Sequence, residues 1–219
     1  MMYLMACDPP AAHPAAAPTR ADSLMALKTK FKHEDLREFS VNTSELEYYE
    51  TVDSNTYNLI FQEGDRTYDR NGSRIDYYHS WQNRDTNFIE FTMITFDEGS
   101  YCTIIRYYVF DKQGKFISKF DLAASCGDGG WSFYQTGRQI DKTHFSTESV
   151  ESESDLGETI EKVEGDTTRH TIQLLPTGLF SQKQIAKKHF VREERPVAPT
   201  ISDTTVTTST PTDTTPHEP

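Results

Sequence analysis

Residues 101–122 read YCTIIRYYVFDKQGKFISKFDL, and this stretch decides the fold. Residues 101–110 are nearly apolar on both faces, which is typical of a central strand that is buried on both sides. After them comes Asp111-Lys112-Gln113-Gly114, in which Asp bonds to its own turn backbone and Gly accepts a positive φ. Apolar and charged side chains then alternate: Phe116, Phe120 and Leu122 with Lys115, Lys119 and Asp121. The stretch therefore predicts an antiparallel hairpin whose first arm is the central strand of a sheet.

The same alternation continues on both sides of this hairpin. Further strands are predicted at residues 46–51, 56–62, 74–81, 87–96, 131–136, 139–150, 169–175 and 179–190. Short turns separate most of them, and no long helices alternate with them, which disfavours a parallel α/β sheet. The sequence therefore predicts an all-β fold over residues 46–190. We expect a single antiparallel sheet domain of about ten strands, arranged as a meander, a sandwich or a barrel.

The Asp-x-x-Gly turn recurs elsewhere in the chain. Residues 69–72 read DRNG, and a weaker copy at residues 175–178 reads LPTG. The copies are unequally spaced, so we interpret them as a recurring hairpin device. A propeller-like or solenoid repeat is the alternative.

Residues 22–45 are predicted to hold at most one short helix and a linker. Asp22 or Ser23 would cap the helix, which is expected over residues 22–36, and Leu24, Leu27 and Phe31 recur at near-helical spacing. No apolar run approaches the roughly 20 residues that a membrane-spanning helix needs.

The chain is strongly acidic, with a net charge of -12 from 34 acidic and 22 basic residues. No stretch is basic enough to neutralise phosphates, which argues against nucleic acid as a partner. The acidic residues Glu148, Glu151, Glu153, Asp155 and Glu158 form one run. This run lacks the alternating Asp/Asn spacing and the turn glycine of a calcium loop, so we interpret it as solubilising and not as a weak cation site. The sequence predicts no metal site and no cofactor.

The two ends of the chain differ in composition from its middle. Leu4-Met5-Ala6-Cys7 resembles the lipobox of bacterial lipoproteins, and a Pro/Ala-rich stretch follows it. We expect residues 1–21 to comprise a truncated signal sequence, this lipobox and a tether. The resemblance implies lipidation at Cys7, a bacterial cell-envelope or secreted location, and membrane attachment only through the lipid anchor. Residues 191–219 are rich in Thr and Pro and are predicted to be disordered.

The remaining cysteines, Cys102 and Cys126, form an even pair once Cys7 is lipidated. Counting back from the turn places Cys102 opposite Ala123 or Ala124, with Cys126 two or three residues beyond. A disulfide is geometrically reachable and would form in an oxidising compartment. The alternative is that Cys102 is a small buried apolar residue of its strand.

The best candidate binding site is the loop at residues 124–134. Gly127, Gly129 and Gly130 surround Asp128, and three aromatic residues follow, namely Trp131, Phe133 and Tyr134. A polar loop backed by aromatic side chains is typical of sugar and peptide sites. The alternative is a Gly-rich turn whose aromatic side chains enter the core.

A second aromatic cluster lies on a predicted strand, where Tyr77, His79 and Trp81 are expected on one face and Tyr78 on the other. His79 and His144 are candidate partners for Asp128 in an acid–base arrangement. The sequence contains no GxSxG, HExxH, Walker or GxGxxG motif, so an enzymatic activity is unsupported, although a triad is not recognisable from sequence position.

These observations favour an exported envelope lipoprotein whose non-catalytic β-domain binds a protein or a glycan. The strand and turn texture, with the Gly/Asp loop at residues 125–131, also looks like many uncharacterised bacterial lipoproteins, a resemblance that implies no activity. Two alternatives stay open. One is a secreted hydrolase with a site at the Gly127-to-Trp131 loop, and the other is an immunity or inhibitor protein, which would present a broad aromatic or acidic face.

Overall fold

A computed structural model describes residues 17–61, 74–84, 87–97, 101–156 and 161–194 of the chain. It contains one ten-stranded, largely antiparallel sheet with short helices at its N-terminal side. The strands are β1 (His33–Glu34), β2 (Glu38–Phe39), β3 (Arg74–Gln82), β4 (Phe88–Asp97), β5 (Cys102–Asp111), β6 (Phe116–Asp128), β7 (Trp131–Gln139), β8 (His144–Leu156), β9 (Glu161–Leu174) and β10 (Phe180–Glu194). The helices are α1 (Arg20–Ala26), α2 (Ser54–Ile60) and two 3₁₀ turns at Leu27–Lys30 and Thr43–Tyr48. The predicted all-β, antiparallel fold is confirmed in its meander form, as an open sheet.

Strands β3 to β10 pair in chain order, and the two short strands tie this meander to itself. β1 runs parallel to β3 at one edge, while β2 pairs with Gly137 and Arg138 of β7 in the middle of the sheet. The ladder between β6 and β7 ends at Ala124 and Gln135, which leaves room for β2 beside β7. β1 pairs with β3, β2 pairs with β7, and only a few residues join β1 to β2. Strands β3 and β7 are therefore held close together. The sheet from β3 to β7 therefore curls around a core.

The core lies on both faces of β5. Tyr107, Tyr108, Val109 and Phe110 each have 0 % exposure, so the predicted central strand is buried on both sides. One face packs against the N-terminal helices through Leu24, Leu27, Phe31, Ile60, Phe61, Tyr78, Trp81, Ile89, Phe91, Met93, Tyr108 and Phe110. The other face packs inside the curled sheet through Phe39, Ile94, Ile105, Tyr107, Val109, Leu122, Ala123, Phe145, Ile172 and Leu174. The domain is thus a sheet covered on two sides.

The predicted hairpin between β5 and β6 is confirmed, although its register differs from a simple count. The Asp111 carboxylate accepts hydrogen bonds from the backbone N–H groups of Gln113 (2.9 Å) and Lys115 (2.8 Å), and Gly114 has a φ of +79°. Two β-bulges lie in the ladder, and each adds one residue to β6. Cys102 is therefore directly opposite Cys126, not opposite Ala123 or Ala124, and the two cysteines form a disulfide.

The strands predicted at residues 46–51 and 56–62 are wrong. The structure has a 3₁₀ turn and α2 at these positions. Asp53 caps α2 by accepting a hydrogen bond from the Thr56 N–H (2.8 Å). The apolar residues Tyr57 and Phe61, which suggested a period of two, also stand four residues apart, and their ring centroids are 4.4 Å apart on one helix face. A short apolar pattern is compatible with the strand period of two and with the helix period of 3.6. These residues form a helix because the helix packs against the sheet.

The first helix also differs from its prediction. It begins at Arg20 and is capped by Thr19, whose hydroxyl accepts from the Asp22 N–H while the Asp22 carboxylate accepts from the Thr19 N–H. It ends at Ala26 and continues as a 3₁₀ turn to Lys30, so it is shorter than expected. None of the described helices is long and apolar enough to cross a membrane.

The last strand, β10, forms one edge of the sheet. It pairs with β9 and has no second strand partner in the part of the chain that the structure describes. Residues 181–189 are all exposed, and a bulge interrupts the ladder at Ile185. The hairpin before β10 turns through Gly178 with a φ of +82°, as the LPTG pattern predicts. Residues 191–194 of the predicted tail belong to β10. The DRNG pattern at residues 69–72, the predicted lipidation site Cys7 and residues 195–219 lie outside the described residues.

Two turn glycines allow a matched test of how the β5–β6 hairpin packs on α1. Alanine at Gly114 or Gly129 would adopt a positive φ, which costs about 1–2 kcal/mol. A Cβ at Gly114 would also lie 2.8 Å from the Ala21 backbone nitrogen, whereas a Cβ at Gly129 meets nothing within 4 Å. We expect Gly114→Ala to lower the free energy of unfolding clearly more than Gly129→Ala, as measured by urea denaturation. Equal losses would contradict this packing.

Candidate functional site

The predicted binding loop is a tight hairpin turn between β6 and β7. Gly129 and Gly130 form the turn with φ values of +56° and +102°, and Asp128 and Trp131 lie opposite each other at its base. Asp128 is exposed. None of residues 124–134 lines the four best-formed clefts of the described residues. The loop is an exposed hairpin turn, which does not favour the concave site that a hydrolase there would require.

The register of the sheet brings part of this loop together with two members of the acidic run, Glu151 and Glu153, on a single face. Residues that lie opposite each other on neighbouring strands point to the same side of a sheet. One row crosses β5 to β10 and consists of Cys102, Cys126, Phe133, Glu151, Asp166 and His189. The next row consists of Asp128, Trp131, Glu153, Glu164 and Val191. We call the surface formed by Asp128, Trp131, Phe133, Glu151, Glu153, Glu164 and Asp166 the acidic–aromatic face.

This face lies on the same side of the sheet as the second core cluster and extends beyond it. Along β8, Phe145, Thr147 and Ser149 are buried, whereas Glu151 and Glu153, which point to the same side, are exposed. The strands thus extend beyond the core as a polar ribbon. The sequence shows the acidic run but favours a solubilising role, because only the register reveals that Glu151 and Glu153 lie beside Phe133 and Trp131 while Glu148 points to the opposite side.

The two aromatic rings of this face are half-buried among the carboxylates. The indole N–H of Trp131 donates a hydrogen bond to the Glu151 carboxylate at 3.0 Å. Phe133 lies opposite Cys126, beside the disulfide that joins β5 to β6. Neither ring belongs to the two buried core clusters. Their exposed parts offer apolar contact area at low conformational cost.

The charge of the face is strongly negative. Its five carboxylates are opposed by Lys187 and His189, which both contact Asp166 at 2.8 and 3.2 Å, and by Lys162, which contacts Glu164 at 3.1 Å. The hydrogen bond from Lys187, with a smaller one from His189, holds the pKa of Asp166 below its ordinary value. None of Glu151, Glu153 and Asp128 forms a salt bridge among the described residues, and Lys187 interacts with Glu151 only at longer range. A negative field therefore surrounds the two rings.

Tyr134, the fourth residue of the predicted loop site, lies on the opposite side of the sheet. It alternates with Phe133 along β7 and stands opposite Ser125 and Val150. Its side chain is 44 % exposed. The prediction that the loop aromatics form one cluster is therefore wrong for Tyr134, because successive residues of a strand point to opposite faces.

The second predicted cluster is interior and not a binding surface. His79 is the extra residue of a β-bulge, so Trp81 shares a face with Tyr78 and not with Tyr77. His79 is buried beside His33 and Tyr49, and its Nδ1 is 2.8 Å from the Thr92 hydroxyl.

The acid–base arrangement with Asp128 is not formed. Asp128 projects at the exposed turn, while His79 is interior. The Nδ1 atom of His144 is instead 3.0 Å from the Asp141 carboxylate, within the turn between β7 and β8.

Sequence reasoning missed one buried ion pair. Glu90 is 1 % exposed and accepts a hydrogen bond from the Arg84 guanidinium at 2.8 Å. The guanidinium also donates to the Lys142 carbonyl (2.6 Å) and lies 5.0 Å from the ring centroids of Tyr107 and Phe145. The pair therefore joins β3 and β4 to the turn between β7 and β8. A strand buried on both faces carries no alternation that would reveal such a residue.

No group of three or more His, Cys, Asp or Glu side chains among the described residues is arranged to hold a metal ion. Comparison of the chain with protein-family models, with curated proteins and with solved structures found no match. Function is therefore inferred from the chemistry of the faces themselves.

The buried His79 makes stability depend on pH. Burial, together with the charges of His33 and Lys32, lowers the pKa of His79 from 6.5 to about 3. Below pH 6.5 the unfolded chain takes up a proton that the folded chain excludes. We expect stability to fall by up to about 1.4 kcal/mol per pH unit between pH 6.5 and pH 3 from this group, and to be fully retained above pH 6.5.

Urea denaturation across this pH range would measure the effect in two variants. His79→Gln should reduce the slope of stability against pH by up to one proton. Phe39→Leu, which perturbs the same cluster without removing a titrating group, should retain the slope. An unchanged slope in His79→Gln would contradict the assignment.

Proposed function

We propose that the chain is an exported, lipid-anchored protein of the bacterial cell envelope whose β-domain binds a basic protein partner through the acidic–aromatic face. The observation that carries this proposal is the face itself, in which Trp131 and Phe133 are half-exposed among five carboxylates. Binding, and not catalysis, is the role that this surface suits.

The chemistry of the face fits a cationic protein surface. The carboxylates of Asp128, Glu151 and Glu153, which form no salt bridge among the described residues, attract a positive surface and accelerate its encounter. Aromatic side chains, above all Trp and Tyr, supply much of the binding energy at protein interfaces. The face is borne by paired strands and is adjoined by the Cys102–Cys126 disulfide, so it is formed before binding and little ordering is required.

Two further observations support export. The Cys102–Cys126 disulfide indicates a domain that folds in an oxidising compartment outside the cytoplasm. The Leu4-Met5-Ala6-Cys7 sequence resembles a lipobox, which supports attachment through a lipid at Cys7. Attachment through the N-terminal tether would present the sheet away from the membrane surface.

The inhibitor or immunity function is a specific form of the same proposal. An inhibitor that blocks a cationic enzyme or toxin needs a broad, pre-formed, acidic and aromatic surface. The acidic–aromatic face has this composition. The hydrolase alternative has no comparable support, because Asp128 is exposed on a projecting turn and the histidines described above lie elsewhere.

The anchor is tested by detergent phase partitioning of the full-length gene product expressed in a bacterial host. We expect the wild-type protein in the detergent phase and Cys7→Ser in the aqueous phase, because only the acyl chains would hold the protein in detergent micelles. Metabolic labelling with a tritiated fatty acid is the companion measurement. Recovery of both proteins in the aqueous phase, without label, would contradict the anchor.

The binding face is tested by co-purification of the full-length protein from its native envelope. We expect a partner that is retained by the wild type and released as salt rises, because exposed charges are screened. Trp131→Ala combined with Glu151→Gln should weaken retention at least about thirtyfold. Glu47→Gln, which removes one exposed carboxylate outside the face, is the matched control and should retain the partner. Equal retention by both variants would contradict the proposal.

A further inference from the structure

A second surface lies on the opposite side of the same strands. A groove of about 500 Å³ crosses β2, β7, β8 and β9 and reaches the bulge at Ile185 in β10. Its polar walls are Glu38, Thr136, Arg138, Ser146, Glu148 and Arg169. On β7, Thr136 and Arg138 alternate with Phe133, so they point away from the acidic–aromatic face. The volume is within the range of small-ligand sites.

The charges of the groove are paired and cancel. Arg138 stands opposite Glu38 at 3.9 Å, and Arg169 stands opposite Glu148 and forms a close ion pair with it. These four side chains are between 44 % and 81 % exposed, so a ligand can reach them. Each pair presents a hydrogen-bond acceptor next to a hydrogen-bond donor, and the hydroxyls of Thr136 and Ser146 lie between the pairs.

An aromatic ring stands beside this polar floor. Tyr134 belongs to the next row along the same face, opposite Val150, and Val150 is opposite Thr167. In the described part of the chain no side-chain hydrogen bond occupies the Tyr134 hydroxyl. The ring does not line the groove itself, but it offers a flat apolar surface one row beyond Thr136 on the same side of the sheet. Ile185, which lines the groove and is 56 % exposed, offers a second apolar contact.

We infer that this groove binds a neutral oligosaccharide. A sugar hydroxyl both donates and accepts, so adjacent hydroxyls of one ring match a carboxylate and a guanidinium that stand side by side. The C–H face of the ring packs on an exposed aromatic side chain.

Ligands of other classes fit the groove less well. An anionic ligand would compete with Glu38 and Glu148 for their arginines and leave carboxylates unpaired. An extended peptide would need a free strand edge, whereas this groove crosses the face of paired strands.

The site is independent of the proposed protein-binding face. The two surfaces use alternate residues of β7, β8 and β9, so a glycan and a protein can occupy the domain together. Failure of one proposal therefore leaves the other to be judged by its own experiment.

The test is an NMR titration of the isotopically labelled full chain with three neutral trisaccharides: maltotriose, cellotriose and triacetylchitotriose. We expect at least one of them to shift the backbone amide signals of residues 136–138 and 146–148. Tyr134→Ala and Arg169→Gln should each weaken that binding by about tenfold, because each removes a stacking surface or a charged hydrogen bond. Tyr134→Phe, which keeps the ring, should bind as the wild type does.

Trp131→Phe, on the opposite face, is the control for changes elsewhere in β7 and should leave sugar binding unchanged. The proposal is overturned if none of the three sugars shifts these signals at concentrations near their solubility limit. It is also overturned if inorganic phosphate shifts them while the sugars do not, or if Tyr134→Ala binds the sugars as strongly as Tyr134→Phe.

Discussion

The burial of β5 on both faces is the constraint on which the rest of the structure depends. A strand with Tyr107 and Val109 on one side and Tyr108 and Phe110 on the other must be covered twice. The N-terminal helices cover one side, and the curled sheet with its bridging strands β1 and β2 covers the other. The later strands β8 and β9 contribute Phe145, Ile172 and Leu174 to the second core, and the rest of each strand extends beyond it. The acidic–aromatic face lies on these outward halves, whereas the groove lies nearer the core, beside β2.

Much of this arrangement could be predicted from local sequence. The β5–β6 hairpin follows from an apolar run, an Asp-x-x-Gly turn and an alternating arm. Most of the remaining strands follow from their period of two, but the strands predicted at residues 139–150 and 169–175 leave out residues 151–156 of β8 and 161–168 of β9. What could not be predicted depends on tertiary packing. The helix α2 satisfies two periods, and only its contact with the sheet decides between them. The bulges at His79 and in β6 each add one residue, which changes the face or the partner of every residue beyond them.

The candidate site could likewise be predicted from sequence only in part. Asp128, Trp131 and Phe133 could be selected from sequence because glycine and aromatic residues cluster there. Their acidic neighbours Glu164 and Asp166 are far away in the chain and come close only through the register of β8 with β9. Tyr134 follows Phe133 directly in sequence, yet it points to the groove side, because successive residues of a strand point to opposite faces of the sheet. Grouping by sequence proximity is therefore a poor guide to function in an extended strand.

The exposed edge at β10 has a consequence for how concentrated molecules behave. Among the described residues β10 is paired on one side only, and such an edge is a template on which another chain can add by backbone hydrogen bonding. Here Lys183, Lys187 and Lys188 lie along the edge, and the bulge at Ile185 breaks its regularity. Two copies that approach edge to edge would place these lysines next to one another. The bulge would also prevent a continuous ladder of backbone hydrogen bonds between the two edges. The strand thereby resists growth into fibres, which is a colloidal property of the protein at high local concentration.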